Sequence, residues 1–300
     1  MKNDLRSVLP VKALKLSNID WLVFSGGGNR CWWQAGVISG LLKSNWALPS
    51  RLTGTSAGAS IAAAFLTSTT QNALAACLYL YGNTQKIFSW SLRSVRSPQF
   101  AHKKIYPAWV SSIITDETFQ IAKHSLTQLD IAITRPSRWL GLTGSIFAGT
   151  AAYLIDKKVS NTLHPRLPLY MGLKQEFVSL NGCSSFSEAH TLLCAAAAAP
   201  PFMPARLVSG GHAIDGGYVD NAPVPAQTLK ERQKTLVLLT RHYPRLPRLF
   251  EFQNRCYFQP GQKIPVSTWD CTHKATVLDA FNLGSLDVQN MLKQRDFLIT

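Results

Sequence analysis

Twice within forty residues, an apolar run of strand length ends in glycines and passes directly into a helix-like segment. The first run, Asp20-Trp-Leu-Val-Phe-Ser25, meets Gly26-Gly27-Gly28, and Asn29–Lys43 follows with Trp33, Val37, Gly40 and Leu41 on one side. The second, Arg51–Thr55, leads into the small apolar segment Ala57–Thr67. A short continuous apolar run bounded by turn residues suits a buried strand. Repeated strand-to-helix handovers imply crossover connections and a mostly parallel sheet covered by helices on both faces. The expected fold is therefore α/β in three layers. Further strands are expected at Gln128–Thr134, Glu176–Leu180 and Thr235–Thr240. Ser185-Phe-Ser-Glu188 reads as a capping box that opens a helix ending before Pro200 and Pro201. Thr276–Phe297 reads as a closing helix weakened by Gly284.

The chain has 300 residues, 46% of them hydrophobic and 16% charged, which supports a sizeable core and excludes a disordered chain. Without a Pro/Gly/Ser linker, it reads as one domain, 1–300. Its core covers about 21–229, with insertions near 83–109 and 136–170 over the active-site side and a C-terminal extension, 230–300. The N-terminal segment lacks the apolar region of a secretory signal peptide. Leu142–Ile155 is too short to span a bilayer and reads as a buried helix or a surface-docking element. The six cysteines are scattered without metal-ligand spacing, so a reducing compartment and no metal site are expected. Localisation is read as cytoplasmic, with peripheral attachment to a membrane.

The formal charge is +15, and no acid falls between Asp20 and Asp116. Such a field favours anionic partners or serves solubility alone. No nucleic-acid-binding motif accompanies it. The cluster Lys86, Arg93, Arg96, Lys103 and Lys104 alternates with Phe88, Trp90, Phe100 and Trp109. It reads as a contact with an anionic membrane surface, or else as a solvated loop.

Gly54-Thr55-Ser56-Ala57-Gly58 is G-x-S-x-G, the pattern that lifts a serine oxygen above the sheet on a sharp strand-to-helix turn. Taken alone, it is also compatible with an ordinary tight turn. A nucleophile there would have the N–H of Ala57 facing a developing oxyanion. Gly26-Gly27-Gly28-Asn29-Arg30 lacks the third glycine and the downstream acid of a dinucleotide loop, and it lacks the Gly-Lys-Ser/Thr of a P-loop. A second oxyanion contributor remains. Arg30 would orient that loop, bind a phosphate, or pair elsewhere. Asp215-Gly216-Gly217 sets a carboxylate on an uncrowded turn, either as a general base for Ser56 or as a plain Asp-Gly turn.

Together these motifs, in this order, resemble the patatin-like phospholipase family. The likeness extends to Ala195–Pro204 and to Asp220-Asn221-Ala-Pro223, and covers Trp21 to about Leu229. Cys194 and Ala195 stand where relatives often carry serine. The resemblance implies a patatin-like fold and a Ser56–Asp215 dyad without a catalytic histidine. Gly26, Gly27, Gly28 and Arg30 would form the oxyanion loop. The expected activity is that of a serine acyl-ester hydrolase, of the phospholipase A or lysophospholipase type. It would cleave fatty-acyl esters of a lipid or phospholipid through an acyl-enzyme, with no cofactor. Two alternatives stand beside it. One is a Ser-His-Asp esterase using His242 or His273; the other is a non-enzymatic basic protein that binds lipid surfaces.

Overall fold

The computed structural model describes residues 7–89, 99–155 and 162–299. Trp90, Arg93 and Arg96 of the basic aromatic cluster lie outside the described residues.

Among the described residues, ten strands form the central sheet. They are β1 (Leu9–Pro10), β2 (Trp21–Phe24), β3 (Arg51–Thr55), β4 (Gln128–Arg135) and β5 (Lys174–Ser179), then β6 (Arg206–Val208), β7 (Gly211–Asp215), β8 (Thr235–Leu238), β9 (Leu249–Phe252) and β10 (Arg255–Phe258). The order is β1-β9-β10-β8-β2-β3-β4-β7-β6, with β5 also paired to β4. The five central strands, β10, β8, β2, β3 and β4, run parallel. The flanking pairs are antiparallel.

The helices are α1 (Cys31–Lys43), α2 (Ala57–Leu66), α3 (Thr70–Gly82), α4 (His102–Val110), α5 (Asp116–His124), α6 (Gly141–Ile155), α7 (Leu167–Tyr170), α8 (Phe186–Ala196), α9 (Leu229–Gln233) and α10 (Val277–Lys293). Strand side chains alternate between the two faces of the sheet. Leu22, Phe24, Leu52, Leu236 and Leu238 enter the larger core, with Trp33, Val37, Ala59 and Val288 from the helices. Trp21, Val23, Val237 and Tyr257 enter a smaller core on the other face, closed by Leu163, Ala222 and Val224. All ten residues of α2 are buried, so its run of alanine, glycine and serine is what a helix surrounded by protein requires.

The C-terminal segment is built into this architecture. β8 lies directly beside β2, and α10 packs along α1. Gly284 does not weaken α10, which runs unbroken through it. A Cβ on Gly284 would lie 2.0 Å from the Trp33 carbonyl oxygen, and one on Gly36 would lie 1.9 Å from that of Phe281. The helix propensity lost at glycine is thus exchanged for a close backbone crossing. The capping box at Ser185 forms by half. The Ser185 hydroxyl accepts from the Glu188 N–H, while the Glu188 carboxylate turns to the N–H and hydroxyl of Ser184.

Candidate active site

The parallel register of β2 and β3 sets Phe24 opposite Gly54, so the turns that follow the two strands stand side by side. The glycine loop and the serine turn therefore share the carboxyl edge of the sheet, where ligands bind in folds of this kind. Ser56 follows β3 at φ 54°, ψ −136°, a backbone geometry that non-glycine residues rarely adopt. Such strain persists only where the surroundings enforce it. Here α2 begins at the next residue and fixes the serine at its N-terminus.

Asp215 arrives from the antiparallel side. It pairs with Ile133 on β4, while Thr55 pairs with the adjacent Ala132. Gly216 then passes close over β4, where a Cβ would lie 2.6 Å from the Ala132 carbonyl oxygen. A side chain at 216 would hold the aspartate away from the serine. With glycine there, Ser56 Oγ donates to Asp215 Oδ2 at 2.7 Å, and the Gly217 N–H donates to Asp215 Oδ1 at 2.7 Å. Each of the two residues is only 7% exposed. Burial pushes the Asp215 pKa up to about 6, against the lowering effect of the bonds from Ser56 and Gly217. The carboxylate is thus ionised at neutral pH yet basic enough to take a proton.

The residues singled out from the sequence take distinct places. Gly28, Ser56 and Ala57 line one pocket. Ala57 opens α2 and Gly28 opens a 3-10 turn, so their N–H groups are among those a helix start leaves without an internal acceptor. Gly26 acts as a brace: its N–H donates to the Asn221 carbonyl at 2.7 Å, and its carbonyl accepts from Asn221 Nδ2 at 2.8 Å and from the Thr240 hydroxyl. Arg30 Nε donates to the Gly27 carbonyl at 3.3 Å. Its side chain faces a second cleft, shared with Gly217, Asn221 and Arg241. Of the two histidines weighed for a triad, His242 Nδ1 bonds the Pro260 carbonyl, and the backbone N–H of His273 donates to Thr84. Ser56 is hydrogen-bonded to neither. Among the described residues, no group of three or more His, Cys, Asp or Glu is placed to hold a metal ion.

The pocket beyond Ser56 is apolar. Trp32, Ile61, Cys77, Trp109, Ala197, Met203 and Trp269 line it. Phe202 stacks on Trp269 at 5.0 Å and meets Phe100 edge-on at 4.9 Å. His102 belongs to this wall, and burial pushes its pKa below the ordinary histidine value. Asn29, within the glycine motif, holds the loop Ser267–Asp270 through two bonds from its side-chain amide, and Tyr81 donates to its Oδ1 at 2.8 Å. Other contributors carried no sequence signal. Thr240 and Trp269 belong to the C-terminal third, outside every motif. Asn221 was within reach, since it follows Asp220 in a segment already picked out.

The chain matches a family model described as patatin-like phospholipase over residues 22–226. The comparison with curated proteins returns no match. Among solved structures, that of VipD from Legionella pneumophila is similar at 12% sequence identity and a TM-score of 0.43, covering 93% of this chain and 67% of that one.

Proposed function

Because the chain belongs to the patatin-like phospholipase family, a family of lipid acyl hydrolases, we propose that it is a serine acyl-ester hydrolase of the phospholipase A or lysophospholipase type, working through Ser56 and Asp215. The observation that carries this reading is the buried 2.7 Å bond from Ser56 Oγ to Asp215 at the mouth of an apolar pocket. Ser56 Oγ attacks the acyl carbonyl as Asp215 takes its proton. The N–H groups of Gly27, Gly28 and Ala57 stabilise the tetrahedral oxyanion. As that intermediate collapses, the leaving alcohol regains the proton from Asp215 and the acyl group stays on Ser56. Asp215 then deprotonates a water molecule, which attacks the ester carbonyl, frees the fatty acid and restores the serine. The acyl chain lies among Trp32, Ile61, Trp109 and Met203. Asn221, Thr240 and Arg30 position the glycine loop and take no part in proton transfer.

The test is incubation of wild type and Ser56→Ala with a mixed panel of phospholipids, lysolipids and neutral glycerides, with products identified by mass. Free fatty acid from wild type alone supports the reading. Equal release by Ser56→Ala defeats it.

A further inference from the structure

The outer side of α6, of the turn before it and of α7 exposes several large apolar side chains among threonines, used neither by the core nor by the reaction. Trp139 and Phe147 are each 72% exposed and Tyr170 is 80% exposed, with Leu154 and Leu169 also open to solvent. On α6, Phe147 and Leu154 are two turns apart and fall on one stripe. The inner stripe is made of small residues, Ser145, Ala148, Gly149 and Ala152, and all four are buried. Gly149 lies so close to Tyr218 that a Cβ there would meet the ring at 2.5 Å. Ala148 packs with Val219 and Leu173. The helix is therefore seated on the turn that carries Asp215, with its large side chains turned outward. Ala152, on the inner stripe, and Pro168 also wall the second cleft, with Arg30, Arg241 and Gly217, so the helix lies between this outer face and that cleft.

We propose that this face is the surface on which the protein settles onto an anionic phospholipid bilayer. Exposed apolar patches of this kind mark interaction surfaces. Tryptophan and tyrosine, with apolar bodies and polar tips, favour the headgroup level. Among the described residues from Pro136 to Gln175, Arg138, Arg166 and Lys174 are the lysines and arginines, with no acid among them. Arg138, Arg166 and Lys174 are exposed beside the patch. That charge complements anionic headgroups, whereas a second copy of the same face would bring like charges together. Among the described residues no helix is long and apolar enough to cross a membrane, so the contact is peripheral.

The proposal takes its purpose from the lipid-hydrolase reading, but its test does not need turnover. The Ser56→Ala protein, with and without Phe147→Ser and Tyr170→Ser, is sedimented with phosphatidylcholine vesicles containing increasing phosphatidylglycerol. Binding of the parent should rise with the anionic fraction and fall with salt. The double substitution should weaken it by about tenfold or more. The same double substitution in the Ser56 protein should leave the melting temperature and hydrolysis of a soluble short-chain ester unchanged. Equal sedimentation of parent and double variant overturns the proposal, as does absence of binding to every vesicle. Self-association of the parent that the double variant abolishes, without vesicle binding, also overturns it in favour of a second copy. Anion-dependent vesicle binding with no ester turnover by wild type sustains the docking surface and defeats the hydrolase reading instead.

Discussion

Residues 83–109 and 136–170 interrupt the strand–helix rhythm with similar ingredients, aromatic rings among lysines and arginines. Among the described residues, Phe100, Tyr106 and Trp109 of the first turn inward and only Phe88 stays exposed, whereas the large rings of the second turn outward. In the first, Trp109 is buried against Trp32 and Tyr106, and its Nε1–H donates to the Ala73 carbonyl at 2.9 Å. Tyr106 bonds Ser60, and Phe100 leans on Phe202. In the second, Trp139, Phe147 and Tyr170 point to solvent. The difference lies in what each segment has to cover. α4 packs against α3 and α8 and needs bulk to close the apolar pocket beside Ser56. α6 rests on the Asp215 turn, where space admits only alanine, glycine and serine, so its large residues are displaced outward. Aromatic content beside positive charge therefore does not decide which way such a segment turns its large side chains. The space beneath it does.

The sharpest way to break this comparison uses one residue type in two places. Trp109→Ala should destabilise the fold by about 3–5 kcal/mol, the usual cost of emptying a large buried site. Trp139→Ala should cost under about 1 kcal/mol. Comparable losses in denaturant melts would show that the two segments do not differ as described.

Asp215 precedes the turn on which α6 rests, and its burial supplies the next largest effect. Its folded pKa, about 6, is raised above the ordinary carboxylate value, so the folded state holds this proton more tightly than the unfolded chain. The stabilising contribution is therefore present at low pH and is lost as pH rises through about 6. Asp215→Asn should then raise stability at pH 7 by about 1–3 kcal/mol while abolishing turnover. Wild-type kcat/KM on a soluble ester should climb across the same interval, as the base ionises. A variant less stable than wild type at pH 7, or an activity profile flat from pH 5 to 8, would contradict this.

The smallest effect separates an inner wall from an outer one. Met203→Phe narrows the pocket and should lower kcat/KM for long-chain relative to short-chain soluble esters by about tenfold. Phe147→Ser, outside that pocket, should leave the ratio unchanged. A chain-length shift in both would merge the two regions into one binding surface.

Much of the sheet was legible because its strands are short apolar runs punctuated by glycine, and a parallel sheet demands that pattern. The site was legible as three turns, each with glycine where backbone must approach backbone. Their joining was not: β7 is antiparallel, and only its register with β4 carries Asp215 to the level of Ser56. Gly284 misled because helix propensity is local, while its role is a contact with Trp33 some 250 residues away (|i−j| is 251 by numbering). Thr240 was hidden for a similar reason. It supports the glycine loop through one side-chain bond, and a lone polar residue has no spacing to read.

The central claim, an activated Ser56 paired with Asp215, is tested most directly by a fluorophosphonate, which reacts covalently with a nucleophilic serine. Intact mass and peptide mapping should find one adduct, on Ser56. Its rate of formation should rise as pH passes about 6, where Asp215 ionises. Ser56→Ala should not be labelled, and Asp215→Asn should react at least about a thousandfold more slowly. An adduct on a different serine, or labelling of Asp215→Asn at the wild-type rate, would contradict the account.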